Sequence, residues 1–163
     1  MSKFASIVSA SPQTMPELPT ALKKPRGHPE IINIQAIKAE IETSWQSTET
    51  PNEFKVALLE ILRKSLKTGS QVVKEHFLSK NNGADTVVAQ AFLMDSLIQI
   101  TYETIIEKLY RAPNPTQGEQ LCIVAVGGYG RGELAPFSDI DLLFLLPYKL
   151  TPHTEQVVET ILY

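Results

Sequence analysis

Gly127-Gly128-Tyr129-Gly130-Arg131-Gly132-Glu133-Leu134-Ala135-Pro136-Phe137-Ser138-Asp139-Ile140-Asp141-Leu142-Leu143 is the stretch that decides the fold. An apolar run, Leu121 to Val126, leads into it, and a second, Ile140 to Leu146, leads out. Short apolar runs bounded by turn residues read as strands. Residues 121–126 and 139–146 are therefore expected to be central strands, apolar on both faces because helices cover them. The glycines between them make a tight turn, and residues 129–134 have room for one short helical turn. Asp139 and Asp141 stand at i and i+2 at the head of the second strand. Side chains at that spacing share a face and lie roughly 6.5–7 Å apart along it.

Two carboxylates so placed converge on a hard cation such as Mg²⁺. Gly127 and Gly128 allow bare backbone amides to come up against a phosphate. Arg131 offers a planar fork for phosphate oxygens, and Ser138 either hydrogen-bonds a phosphate or caps the turn. Each residue also has a plainer reading. The glycine pair makes an ordinary turn, Arg131 pairs with Glu133 or another carboxylate, and Asp139 caps a turn. Asp141 resists that treatment, because a charge inside an apolar run is costly unless paired or metal-bound. Taken together, the residues suit metal-assisted nucleotidyl transfer. One Mg²⁺ would steady the departing pyrophosphate, and a second would lower the pKa of the acceptor hydroxyl. Two other glycine loops are excluded. The dinucleotide fingerprint needs a third glycine where Glu133 or Ala135 stands, and the ATPase phosphate loop needs Gly-Lys-Ser/Thr where Gly132-Glu133-Leu134 stands.

Upstream, the pattern is helical. Ile34, Ile37, Ile41 and Trp45 fall on one helical face. Thr50-Pro51-Asn52-Glu53 is a start signal, with Thr50 as cap, Pro51 in the first turn and Glu53 at the third position. Phe54, Leu58, Ile61, Leu62 and Leu66 continue that helix through Val72, Val73 and Phe77. Asn81-Asn82-Gly83 stops it, with Gly83 suited to a left-handed position. A third helix is expected from about Asp85 to Tyr110, with a stripe of Leu93, Leu97, Ile98, Tyr102, Ile105, Ile106 and Leu109, ended by Pro113 and Pro115. These stripes are core packing between antiparallel helices. A further helix begins at Pro152, with Val157, Val158, Ile161 and Leu162 apolar.

Residues 1–30 carry five of the eleven prolines, at 12, 16, 19, 25 and 29, without periodicity, and read as a mobile tail. The prolines also argue against an amphipathic targeting helix there. A net charge of −3 argues against a nucleic-acid platform. No apolar stretch reaches membrane-spanning length, and the N-terminus lacks the apolar core of a secretory signal. Cys122, the single cysteine, lies in a strand run and reads as a small buried core residue. His28, His76 and His153 are scattered without ligand spacing, so metal binding through histidine is not expected. A reducing, cytoplasmic setting fits all of this.

The Gly-Gly turn, short helical turn and Asp-x-Asp strand together resemble the signature of the nucleotidyltransferase superfamily typified by DNA polymerase beta. Within it, residues 127–143 closely resemble the bacterial PII uridylyltransferase/uridylyl-removing enzymes. The likeness covers roughly residues 50–150, is strongest over 124–147, and includes Leu93-Met94-Asp95-Ser96-Leu97-Ile98. The resemblance implies transfer of UMP from UTP to a tyrosine of the nitrogen-regulatory protein PII, hydrolytic removal of that UMP, and glutamine as effector. It also implies Gly127 and Gly128 as nucleotide-phosphate contacts, and Asp139 and Asp141 as metal ligands and catalytic residues. The implied fold is α+β: a tail at 1–30, antiparallel helices over 31–115, and the first strands of a polymerase beta-like sheet over 116–163. Two strands do not complete such a sheet. The third carboxylate, the hydrolase and the glutamine sensor of the family are expected beyond residue 163, so the 163 residues alone are expected to be inactive. The related adenylyltransferases that act on glutamine synthetase look similar around Ser-Asp-x-Asp. They usually carry Gly-Lys-x-Gly-Gly ahead of it and an asparagine where Ala135-Pro136 stands. A non-catalytic regulatory module would be expected to lose the acidic pair, which is present here.

Overall fold

A computed structural model describes residues 31–112, 120–146 and 151–162. The expected tail and the prolines at 113 and 115 lie outside these residues. The described chain is α+β, mostly helical, with a small antiparallel sheet. Its order is α1 (Ile34–Ser47), α2 (Pro51–Lys80), α3 (Gly83–Thr104), a π-helical extension (Ile105–Leu109), β1 (Cys122–Ala125), a 3₁₀ turn (Tyr129–Arg131), β2 (Leu142–Leu145) and α4 (Pro152–Leu162).

Local chemistry explains the helix ends. Asn33 caps α1 by accepting from the Ala36 amide at 3.0 Å. Thr50 accepts from the Glu53 amide at 3.2 Å, while the Glu53 carboxylate reaches back to the Glu49 amide at 3.0 Å. This is a capping box stretched by one residue, since the return bond normally reaches the cap itself. At the α2–α3 junction the left-handed residue is Asn81 (φ 51°), not the expected Gly83. Asn tolerates this region because its short side chain bonds locally. Asn82 then caps α3, accepting from the Asp85 amide at 3.3 Å, so Gly83 belongs to the first turn of the next helix. The third helix also departs from expectation. Its last turn widens, and the Tyr110 amide donates to the Ile105 carbonyl at 2.9 Å, five residues back.

The main core joins three helices. Ile37 and Ile41 of α1 meet Phe54, Leu58, Ile61 and Val73 of α2 and Ala89, Leu93, Leu97 and Ile100 of α3. Phe54 is 0% exposed, with Trp45 standing edge-on at 4.8 Å between ring centroids. Helix α3 carries a second buried face. Ala91 packs with Tyr129 and Leu134, and Met94 and Ile98 extend that cluster toward Ala125 of β1 and Leu142 of β2. The positions 87, 91, 94, 95 and 98 recur at helical spacing, so one helix is sandwiched between the bundle and the strand unit.

The strands pair antiparallel, with Cys122 opposite Leu145 and Ala125 opposite Leu142. They are shorter than the expected 121–126 and 139–146. Among the described residues only α3 covers the pair, and Leu143 and Leu145 stay 47% and 48% exposed on the other face, as a sheet left incomplete by two strands implies. Cys122 shares this fate and is exposed rather than buried. It is the first residue of a two-stranded sheet, and the adjacent helix covers only one face. Among the described residues, no helix is long and apolar enough to cross a membrane.

Candidate active site

The connection between the strands starts by extending the ladder. The Val126 amide donates to the Asp141 carbonyl at 3.1 Å, so Asp141 stands abreast of Val126. Gly127 then reverses the chain with φ +64°, a conformation glycine adopts without steric cost. A Cβ built on it would lie 3.1 Å from Asp141 Oδ2. The Asp141 carboxylate therefore rests against the bare side of Gly127. Gly130 is needed for a different reason: a Cβ there would stand 2.6 Å from the Ala125 carbonyl oxygen. The 3₁₀ turn is thus pressed onto the end of β1. Amides from 130 to 134 are engaged: Gly130 donates to Val126 at 2.9 Å, Arg131 and Glu133 to Gly128 at 3.1 and 3.2 Å, Gly132 to Tyr129 at 2.9 Å, and Leu134 to Val87 of α3 at 3.0 Å. The amides of Gly127 and Gly128 are not part of that set.

Helix α3 grips this loop. Tyr129 is 5% exposed, and its hydroxyl donates to Asp95 Oδ1 at 2.6 Å, the length of a charge-assisted O–H···O⁻ bond. Burial pushes the Tyr129 hydroxyl well above its ordinary range, and the Asp95 carboxylate adds to that. Burial also raises the Asp95 carboxyl, while the Tyr129 hydrogen bond pulls it down. The Tyr129 shift is the clearer one, because there both causes act in one direction. Together with the Leu134–Val87 bond, the contact ties each end of the turn to α3.

The expected site residues fall into two groups. Gly127, Gly128 and Asp141 come together as described. Asp139 lies exposed two residues before Asp141, further from the ladder. Both aspartates precede β2 rather than sitting within it, and Asp141 is exposed. The burial cost expected for Asp141 therefore does not arise here: its position is set by the turn. Arg131 folds back, its guanidinium donating to the Gly127 carbonyl at 3.0 Å and approaching Glu133 at 3.9 Å. Ser138 donates to the Ala135 carbonyl at 2.8 Å, so it caps the turn before the aspartates. Next to it Phe137 holds φ +69° with its ring fully exposed. Asp139 and Asp141 offer hard, exposed oxygens, which suit Mg²⁺, an ion held through one or two carboxylates with water and substrate phosphates. Among the described residues no three His, Cys, Asp or Glu side chains gather into a metal-holding cluster. Sequence reasoning gave no role to Asp95 or Tyr129. The signal was an acid at position 95 on the apolar face 87, 91, 94, 98, opposite an aromatic within the glycine run.

Comparison with known proteins places this chain among the nucleotidyltransferases. The chain belongs to the family described as glutamate-ammonia ligase adenylyltransferase, whose model matches residues 2–160. Among its relatives, a protein of Azospirillum brasilense named bifunctional uridylyltransferase/uridylyl-removing enzyme is 44% identical over 133 residues, 82% of this chain and 14% of the relative. Proteins of the same name from Caulobacter vibrioides and Phenylobacterium zucineum are 41% identical over 134 residues and 47% identical over 107. These cover 82% and 66% of this chain, and 14% and 11% of the relatives. The chain thus spans about a seventh of the length of these curated relatives, by the 14% coverage. No solved structure matches.

Proposed function

We propose that the protein of which these residues form part transfers UMP from UTP to a tyrosine of a PII-type signalling protein, in the cytoplasm and with Mg²⁺. Residues 116–163 would begin its polymerase beta-like sheet, and residues 31–115 its helical support. The observation that carries the reading is the Asp141 carboxylate resting on the bare face of Gly127. A triphosphate approaching that face meets backbone amides and a metal-binding carboxylate at once. The relatives' shared name supports UTP over ATP, while the family description names adenylyl transfer and so supplies the runner-up.

Each residue has a distinct part. Gly127 and Gly128 would meet the phosphates through their backbone amides, and the bare side of Gly127 makes room for the Asp141 carboxylate. Arg131, anchored on the Gly127 carbonyl, puts positive charge beside them and is suited to phosphate oxygens. Asp139 and Asp141 would hold Mg²⁺, which when bound neutralises charge on the phosphates and activates the acceptor hydroxyl. Ser138 fixes the backbone leading into Asp139. No residue described here is assigned to UMP removal or to glutamine sensing.

The test uses the complete gene product with Mg²⁺, PII and radiolabelled UTP or ATP, beside the double variant Asp139→Asn, Asp141→Asn. Label on PII from UTP alone, lost in the variant, is the expected result. Label from ATP on glutamine synthetase would move the assignment to adenylyl transfer. Absence of label from both, with PII still bound, would leave a regulatory module.

A further inference from the structure

The nucleotide turn is tied down at a residue that touches neither nucleotide nor metal in the reading above. We infer that Asp95 is a positioning residue: acting through the Tyr129 hydroxyl, it fixes how far the Gly127–Gly132 turn sits from α3, and hence where the bare turn amides stand relative to Asp141. The inference rests on the nucleotidyltransferase reading and extends it to a residue outside the glycine and aspartate motif.

Three observations carry it. Tyr129 is the residue directly after Gly128 and is buried against Ala91 and Leu134, so its displacement moves the turn covalently. Its hydroxyl meets Asp95 Oδ1 at 2.6 Å, a directional contact that specifies position, whereas apolar burial is non-directional. The opposite arm of the loop is fixed to the same helix by Leu134 N–H to Val87 O at 3.0 Å. The turn is thereby held on both sides by α3 and below by β1, where Gly130 abuts the Ala125 carbonyl. A half-buried carboxylate is a costly way to fill an apolar face, and an aliphatic side chain would fill it without desolvating a charge. Directional placement of the turn is what the carboxylate adds.

The test compares Tyr129→Phe, which keeps the ring and deletes the donor, with Asp95→Asn, which keeps an acceptor oxygen. It uses the complete gene product. The first readout is amide hydrogen exchange without nucleotide, which does not depend on any assumed reaction. Tyr129→Phe should speed exchange at Gly130, Gly132 and Glu133 by roughly tenfold, as loss of a charge-assisted bond implies, and leave Leu58 and Ile61 of α2 unchanged. Asp95→Asn should give a smaller acceleration at the same amides. The second readout is transfer kinetics per folded molecule. Tyr129→Phe should lower kcat and raise the nucleotide KM, each several-fold, with Asp95→Asn recovering part of both. A purely structural tie would lower the melting temperature with kinetics unaltered. Turn exchange and kcat/KM within twofold of the parent protein in Tyr129→Phe overturns the inference. If instead Asp139→Asn transfers as well as the parent, the site reading fails, and the exchange data still decide the role of Asp95.

Discussion

Replacing Gly130 with alanine tests whether the glycine turn really lies on the end of β1. The added Cβ would stand 2.6 Å from the Ala125 carbonyl oxygen and 3.1 Å from its carbon. That oxygen belongs to backbone at the strand end and has no rotamer to escape into. Relief therefore requires the turn to lift by roughly half an ångström, a gap that forfeits much of the local dispersion contact. The same movement stretches the 2.9 Å bond from the Gly130 amide to Val126. Overpacking of this kind costs about 1–3 kcal/mol, and a weakened backbone hydrogen bond adds about 1 kcal/mol. The expected loss is about 2–4 kcal/mol, or a fall in Tm of about 5–15 °C for a domain of this size. Gly83→Ala is the control, because nothing lies within 4 Å of a Cβ there and alanine favours the helix it enters by about 1 kcal/mol. Both variants would be followed by thermal and urea unfolding. A Gly130→Ala protein within about 0.5 kcal/mol of the parent, the usual range of surface changes, would show that the turn does not rest on β1.

Phe54→Ala should cost about 3–5 kcal/mol in urea unfolding, since the ring is 0% exposed and its loss also strands Trp45. Thr50→Ala removes the bond to the Glu53 amide and should cost about 1 kcal/mol, seen as a lower urea midpoint at unchanged slope. Asp139→Asn and Asp141→Asn should each reduce transfer by about a thousandfold, as loss of several kcal/mol of metal-assisted stabilisation implies. Both side chains are exposed, so calorimetric Tm should hardly move. Tyr129 supplies a pH signature. Its folded pKa is raised, first by burial and then by Asp95, so its stabilisation is fully present below the ordinary tyrosine value of about 10 and lost as pH rises toward the folded value. Urea midpoints should therefore fall more steeply between about pH 9 and 11 in the parent than in Tyr129→Phe. Parallel declines would contradict this.

Much of this was legible from residue order. Helix starts are local chemistry, and Thr50 and Glu53 announced theirs. The turn was legible too, because Gly127-Gly128 between apolar runs has few other uses. Gly83 was misplaced because Asn81 also tolerates the left-handed region, and sequence alone does not rank the two. Leu142 to Leu146 is apolar throughout, which implies cover on both faces in a complete sheet. Burial depends on what lies opposite, and among the described residues that is α3 on one face. Cys122 is exposed for the same reason, whereas Asp141 is exposed because it precedes β2, in the turn. Arg131 was the reverse case, where the plainer alternative, a partner at Glu133, is the geometry found. The Asp95–Tyr129 contact is not legible in the sequence because its ends are 34 residues apart, and no periodicity reports a single long-range hydroxyl.

The two-faced burial of α3 sets the order in which the site depends on the rest of the chain. A two-stranded sheet is marginal by itself, and β1–β2 leaves Leu143 and Leu145 half exposed. Its packed side rests on Ala91, Met94 and Ile98 of α3, while the opposite side of α3 is held by Leu93, Leu97 and Ile100 in the bundle core. Support therefore runs from the bundle to α3, and from α3 to the turn. A substitution in the bundle core, such as Phe54→Ala, should lower the stability of the whole unit cooperatively. A substitution at the clamp, such as Tyr129→Phe, should loosen the turn and leave the bundle intact. The placement of Asp141 against Gly127 is thus a property of the α3 contact as much as of the motif that contains both residues.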